Sequence, residues 1–153
     1  MRLVIQRVSQ ASVTIDGQVV GRCGVGFCIL AGVKNGDTPA EAKWLANKVA
    51  NLRVFEDNAG KMNLSLLDVK GEALVVSQFT LYANAQHGRR PDFVDAARPE
   101  QAEALIEYFV EQLRTAGVPT QTGVFRALMQ VEIHNDGPVT ILLERELHDH
   151  SAG

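Results

Sequence analysis

The stretch that most limits how this chain can fold is Leu74-Val75-Val76, an unbroken apolar run that passes into Ser77-Gln78-Phe79-Thr80-Leu81, where hydrogen-bonding side chains take over. Three such residues in succession suit a strand covered on both faces, and that strand needs packed layers above and below it. Continued at period two, the strand sets Gln78 and Thr80 on one side and Ser77 and Phe79 on the other. Strands of α/β folds often end at the chemistry. Leu74 to Leu81 therefore reads either as a core strand with a polar exit or as a strand ending at a site.

The rest of the chain supplies the covering layers. Leu3 to Val8 and Ala11 to Ile15 read as two strands, and Asp16-Gly17 turns the second tightly into Gln18-Val19-Val20. Gly24 to Val33 is a further buried strand. Thr38-Pro39-Ala40-Glu41 forms a capping box with proline at the first helical position, and Ala42, Leu45, Ala46 and Val49 recur on one helical face. Leu52 to Phe55 resumes strand character before a turn at Asp57-Asn58-Ala59-Gly60. Pro99 opens a second helix with Ala102, Leu105, Phe109, Leu113 and Ala116 on its apolar face, closed by Gly117 and Pro119. Its Glu103, Glu107 and Glu111 read as a solvated face. Met129, Val131 and Ile133 alternate, as do Val139, Ile141 and Leu143, and Asn135-Asp136-Gly137-Pro138 connects them as a terminal antiparallel pair. Strands before, between and after two helices imply a single α/β domain, a mixed, largely antiparallel sheet with both helices on one side. It spans residues 1–145, and a polar tail, 146–153, follows, with fraying from Glu144 on.

Several functions are disfavoured by composition. At 153 residues with 46% hydrophobic and 22% charged residues, the chain is a globular domain with no window apolar enough to span a membrane and no secretory signal at Met1 to Arg7. A cytoplasmic protein is expected. A net charge of -3 and 6% aromatic residues argue against coating long nucleic acid, though not against gripping one RNA end. Cys23 and Cys28 are too few for a disulfide framework. His87, His134, His148 and His150 fit no metal-ligand spacing, so neither metal nor other cofactor is expected. The glycines at 21, 24 and 26 lead into a strand and make no phosphate loop.

Ser77 and Thr80 are candidate hydroxyl nucleophiles, which need a base oriented by a third group. None lies beside them in sequence, although His134 can fold close. Arg7, on an otherwise apolar strand, is either a support for the loop around Gly137 or an edge residue facing water. Phe79 is either a core residue or a recognition surface.

Ser77-Gln78-Phe79-Thr80-Leu81 and Asn135-Asp136-Gly137-Pro138-Val139-Thr140, together with Ile5-Gln6-Arg7-Val8, Gly60-Lys61-Met62-Asn63-Leu64, Gln121-Thr122-Gly123 and Met129-Gln130-Val131, resemble the D-aminoacyl-tRNA deacylases over nearly the whole chain. The resemblance implies the three-layer fold of that family, a homodimer, and hydrolysis of the ester joining a D-amino acid to the 3′ end of tRNA, and of glycyl-tRNA. It implies main-chain N–H groups at Phe79 and Thr80 as oxyanion donors, with the ribose hydroxyl assisting the water. Thr80 stays open as nucleophile or hydrogen-bonding group. Gln78 and Phe79 suit the terminal adenosine, and the comparison also puts Phe125 and Met129 near the pocket. An X-Pro bond is trans by base rate. The resemblance instead implies a cis Gly137-Pro138 pair that enters the partner's site and excludes L substrates by clash. Arg126-Ala127-Leu128 departs from the small or acidic residues the family pattern carries there.

Overall fold

One 14-residue strand, β1 (Arg2–Ile15), runs where two strands were expected. In the computed structural model, which describes residues 1–147, its first half pairs antiparallel with β3 (Gly26–Gly32) and its second half with β2 (Gln18–Cys23). Along its other edge lies β8 (Gln130–Glu144), antiparallel throughout. The register against β8 slips between Gln6 and Val8 and again between Val8 and Gln10. Such irregularities bend a strand and strengthen its twist, so β1 continues from one layer into the next. Asp16 (φ 49) and Gly17 (φ 80) make the expected turn into β2, both with the positive φ that this hairpin demands.

The expected terminal antiparallel pair does not form. Met129 to Ile133 and Val139 to Leu143 do not pair with each other; both lie on β1, as parts of or next to the single strand β8. Thr140 pairs with Gln6 and Asn135 with Val8, which leaves Asp136 to Val139 bulging opposite Arg7. Both runs alternate correctly for either arrangement, and the length of β1 decides between them by accepting both halves. The outer edge of β8 has no strand beside it among the described residues.

β6 (Glu72–Ser77) lies parallel between β3 and β7 (Thr120–Thr122), giving the order β2-β1-β3-β6-β7. Ala73 and Val75 of β6 join Leu3, Ile5, Phe27 and Ile29 in a core under the helices. Leu74 and Val76 join Cys28, Val8, Ala11 and Val13 in a second core on the reverse face. The double burial anticipated for Leu74 to Val76 is therefore present. Burial pushes the thiols of Cys23 and Cys28 in this second core up to about 11 and about 12, which leaves them protonated and inert at neutral pH.

The helices α1 (Pro39–Asn51) and α2 (Pro99–Thr115) form the outer layer. Thr38 caps α1 reciprocally: its Oγ1 accepts from Ala40 N at 3.3 Å, and its own N–H donates to the Glu41 carboxylate at 2.9 Å. Helix α2 stops one residue short of Ala116, which is exposed and off the apolar face, and Gly117 (φ 104) closes it. The strand expected over Leu52 to Phe55 shrinks to β4 (Phe55–Glu56), hairpinned to β5 (Met62–Leu64) through the Asp57–Gly60 turn; Leu52 caps α1. Beyond β8 the chain is held where fraying was expected. Arg145 stacks 4.5 Å from the Trp44 ring, and Lys34 Nζ lies 3.2 Å from Glu146. Residues 148–153, with His148, His150 and most of the expected tail, lie outside the described residues. No described helix is long and apolar enough to cross a membrane.

Candidate active site

The strand carrying the apolar run ends at Ser77, four residues sooner than its pattern suggests. Gln78 N donates to Ala31 O at 2.8 Å, the last rung of the ladder, and Phe79–Tyr82 then coil into a 3-10 turn. Gln78 and Thr80 thus do not share one face of a strand. The turn brings them together instead, with the Gln78 amide donating to the Thr80 hydroxyl. Gly32 permits the fold-back, since a Cβ there would stand 3.0 Å from Gln78 O and from the Leu81 side chain.

Leu81 N donates to Gln78 O at 3.2 Å and Ala83 N to Thr80 O at 3.0 Å. The N–H groups of Phe79 and Thr80, at the start of the turn, have no backbone acceptor among the described residues. A residue not anticipated from sequence pins the other end. Arg2 Nη1 donates to Leu81 O at 2.7 Å, its guanidinium lies 4.5 Å over the Tyr82 ring, and Glu144 accepts from Arg2 Nε and Nη2 at 3.3 and 3.1 Å. Its main-chain target leaves no trace in a sequence pattern. Tyr82 is buried, its hydroxyl lacks a hydrogen-bond partner, and desolvation raises its pKa above that of an ordinary phenol.

A cavity of about 860 Å³ opens beside the turn, between Ser77 to Phe79, the segment Phe93 to Ala102, and Phe125 to Val131. Ser77, Phe125 and Met129 also line a second recess of about 400 Å³ against α2, which Glu103, Glu107 and Glu111 line as well, and Glu111 pairs with Arg114 at 2.6 Å. Gly123 makes room for this wall, because a Cβ there would fall 2.5 Å from Met129 Sδ. Arg126 adopts φ 67 at the bend of its segment and lines the larger cavity, while Leu128 is 95% exposed. Phe79 is no core residue: it is 56% exposed and tilted against Phe93, with ring centroids 5.1 Å apart. Phe93 was also missed, although an aromatic after a basic loop was the available clue.

The charged side chains lining the larger cavity are Arg98 and Arg126; no His, Asp or Glu lines it among the described residues. His134 is occupied elsewhere, 2.9 Å from Glu132 and 3.3 Å from Gln10. Nor do the described residues gather three His, Cys, Asp or Glu side chains as a metal would need.

The second group of residues assembles apart from the first. Gly137-Pro138 is cis, with Gly137 at φ 120, and both residues are exposed. Arg7 is buried, donating from Nε to Asp136 O at 3.1 Å and from Nη1 to Val54 O at 2.7 Å, with Asp136 Oδ2 at 3.6 Å. It is therefore a support for the bulge and not an edge residue facing water. Arg7 pairs with Phe27 of β3, whereas Ser77 pairs with Ala31, four residues along. At roughly 3.3 Å per residue these rows are about 13 Å apart. Within one chain, Ser77, Gln78 and Phe79 meet Phe125 and Met129 in the cavity, Thr80 sits on the same turn outside its lining, and Gly137-Pro138 reaches neither recess.

A family model described as D-Tyr-tRNA(Tyr) deacylase matches residues 4–144. The D-aminoacyl-tRNA deacylase of Thermomicrobium roseum is 60% identical over 144 residues, 94% of either chain. That of Fervidobacterium nodosum is 56% identical over 94% of this chain and 97% of its own. A solved structure named c-Myc DNA Unwinding Element Binding Protein superposes with a TM-score of 0.90 at 46% identity, over 95% of this chain and 99% of that one. A probable eukaryotic D-amino acid tRNA deacylase shares the fold alone, with a TM-score of 0.80 at 16% identity, over 93% and 97% of the two chains. A match spanning the strand-end turn, the bulge and everything between leaves one assignment: this chain belongs to the D-Tyr-tRNA(Tyr) deacylase family.

Proposed function

We propose that this protein is a cytoplasmic homodimer that hydrolyses the ester of D-aminoacyl-tRNA, releasing the free D-amino acid and tRNA. The carrying observation is the strand-end turn, where two neighbouring N–H groups find no backbone acceptor among the described residues, beside a cavity that no described His, Asp or Glu lines. Such a site suits an ester whose own ribose hydroxyl positions the water, leaving the protein to stabilise charge. Phe79 N and Thr80 N hold the developing oxyanion. Thr80 Oγ1, which accepts a hydrogen bond from the Gln78 amide and has no hydrogen bond to a base among the described residues, serves as a hydrogen-bonding group and not as a nucleophile. Ser77, Gln78, Phe79, Phe125 and Met129 hold the terminal adenosine and the ester.

Chirality belongs to the second group of residues. Gly137 and Pro138 of the partner subunit enter the cavity, where their carbonyls accept hydrogen bonds from the substrate ammonium and fill the space an L side chain requires. Supporting this is the position of the pair in its own chain, exposed and about 13 Å along the sheet from Ser77. Arg7 holds the loop by its carbonyl. Exclusion by clash extends the activity to glycyl-tRNA, including glycine mischarged on tRNA-Ala, which has no side chain to refuse.

The test incubates one preparation with D-tyrosyl-tRNA, L-tyrosyl-tRNA and glycyl-tRNA. Release from the first and third only is expected; equal release of D- and L-tyrosine, or an active monomer by light scattering, refutes the reading. A tRNA ending in 2′-deoxyadenosine should be cleaved at least about a hundredfold more slowly. A non-catalytic nucleic-acid-binding role has one observation in its favour, the name of the relative with 46% identity, and against it stand a net charge of -3 and few aromatic residues. Turnover of D-tyrosyl-tRNA separates the two.

A further inference from the structure

We infer that the mouth of the larger cavity carries a second nucleobase subsite, in which Phe93 beside Phe79, with Arg98 and Arg90, holds the nucleotide that precedes the terminal adenosine. The inference rests on the proposed function and extends its substrate inward by one residue of single-stranded RNA.

Two large aromatic side chains stand side by side at the surface, Phe79 56% and Phe93 38% exposed, their rings 57° apart. Rings so disposed present two differently directed faces, and any base can stack on an exposed aromatic face. Phe93 is also held in place. Asn84 and Asp92 exchange backbone hydrogen bonds at 2.8 and 3.0 Å just before it, and Asn35 donates to Val94 O at 2.9 Å and to Asp95 O at 2.9 Å just after it. Backbone anchored on both flanks makes a preformed wall, which loses little freedom when a base settles on it.

Charge selects the kind of occupant. Residues 84–98 carry three arginines against two aspartates in a chain whose net charge is -3, and Asp92 is turned to accept Val94 N at 3.3 Å. Among the described residues, Arg89, Arg90, Arg98 and Arg126 take part in no ion pair. Arg98 lines the cavity, and Arg90 is three residues from Phe93, at most about 11 Å of chain. Planar guanidinium groups beside an aromatic face are what a phosphodiester with a stackable base requires. An apolar peptide would leave these cations unanswered.

Binding of adenosine 5′-monophosphate and of the trinucleotide CCA bearing no amino acid, the 3′ sequence common to tRNAs, is measured by calorimetry on the intact protein. The wild type should bind the trinucleotide at least about tenfold more tightly. Phe93→Ala should remove most of that advantage, Phe93→Tyr should keep it, and Arg98→Gln should reduce its salt dependence. Equal affinities in the wild type overturn the subsite, as does a Phe93→Ala protein that loses affinity for both ligands in proportion. Binding needs no turnover. If the trinucleotide advantage is absent while D-tyrosyl-tRNA is hydrolysed, only the subsite falls; if the advantage stands and no ester is cleaved, the proposed function falls instead.

Discussion

The strand-end turn at Ser77 to Tyr82 and the bulge at Asp136 to Val139 are both interruptions of a strand, yet they are supported in opposite ways. The turn is fixed from several directions: a last ladder bond to Ala31, two backbone bonds of its own, close packing on Gly32, and the Arg2 clamp on Leu81 and Tyr82. The bulge stands exposed, and its hold on the interior runs through the buried side chain of Arg7. A region fixed from many sides can position small charges accurately on its own. One tied down only by its flanking ladder pairs and one buried side chain can project away from its own chain, which suits a part that completes a neighbouring copy.

Four substitutions test how far this contrast goes. The largest effect is expected for Arg7→Ala, which strips the buried Val54 carbonyl of its charged donor and frees the bulge. Denaturant unfolding should show a loss of about 3 kcal/mol. A loss below about 1 kcal/mol would mean that the bulge is as well supported as the turn. Next is Gly137→Ala, which strains a backbone at φ 120 and sets a Cβ 3.0 Å from the Arg7 guanidinium. D-tyrosyl-tRNA hydrolysis should fall about a hundredfold in steady-state assays with the fold retained, the equivalent of about 2.7 kcal/mol; full activity breaks the assignment of this loop to the site.

Arg2→Lys is a milder test of the turn. A lysine keeps the charge but cannot donate to Leu81 O, bridge Glu144 and stack on Tyr82 together. The expected result is about a tenfold lower kcat with KM little changed. Should lysine restore the wild-type rate, Arg2 merely supplies charge and the clamp is not what orders the turn.

The smallest effect concerns the phenol beneath that clamp. An unfolded tyrosine ionises near pH 10, whereas burial keeps Tyr82 protonated. Above about pH 10 the unfolded state therefore binds fewer protons than the folded one, and stability falls as pH rises; below it the contribution is complete. Tyr82→Phe should flatten that part of the alkaline limb and, by removing an unpartnered buried hydroxyl, leave neutral-pH stability unchanged or up to about 1 kcal/mol higher. A destabilisation by thermal melting at pH 7 would show that the hydroxyl is hydrogen-bonded after all.

What could be read from sequence follows the range of the interactions involved. The Thr38 capping box and the Asp16-Gly17 turn are local devices, and both form as their residues dictate. The pairing of β8 depends on β1 at the far end of the chain, and alternation cannot distinguish that from a hairpin. At the site, period two carried past Ser77 places Gln78 and Thr80 on one strand face, whereas the chain coils there, because the turn fits on Gly32 and Arg2. Arg7 was recognisable as a charge on an apolar strand. Its acceptors, two main-chain carbonyls, were not.

The outer edge of β8, which no described strand covers, bears on colloidal behaviour. An uninterrupted fifteen-residue border of unpaired amides and carbonyls would be a template for strand addition and, repeated from molecule to molecule, for fibre growth. The swelling at Asp136 to Val139 divides that border into two short lengths, and Pro138 offers no N–H at the break. Straightening this segment, whatever it did to turnover, would leave a protein more prone to precipitate.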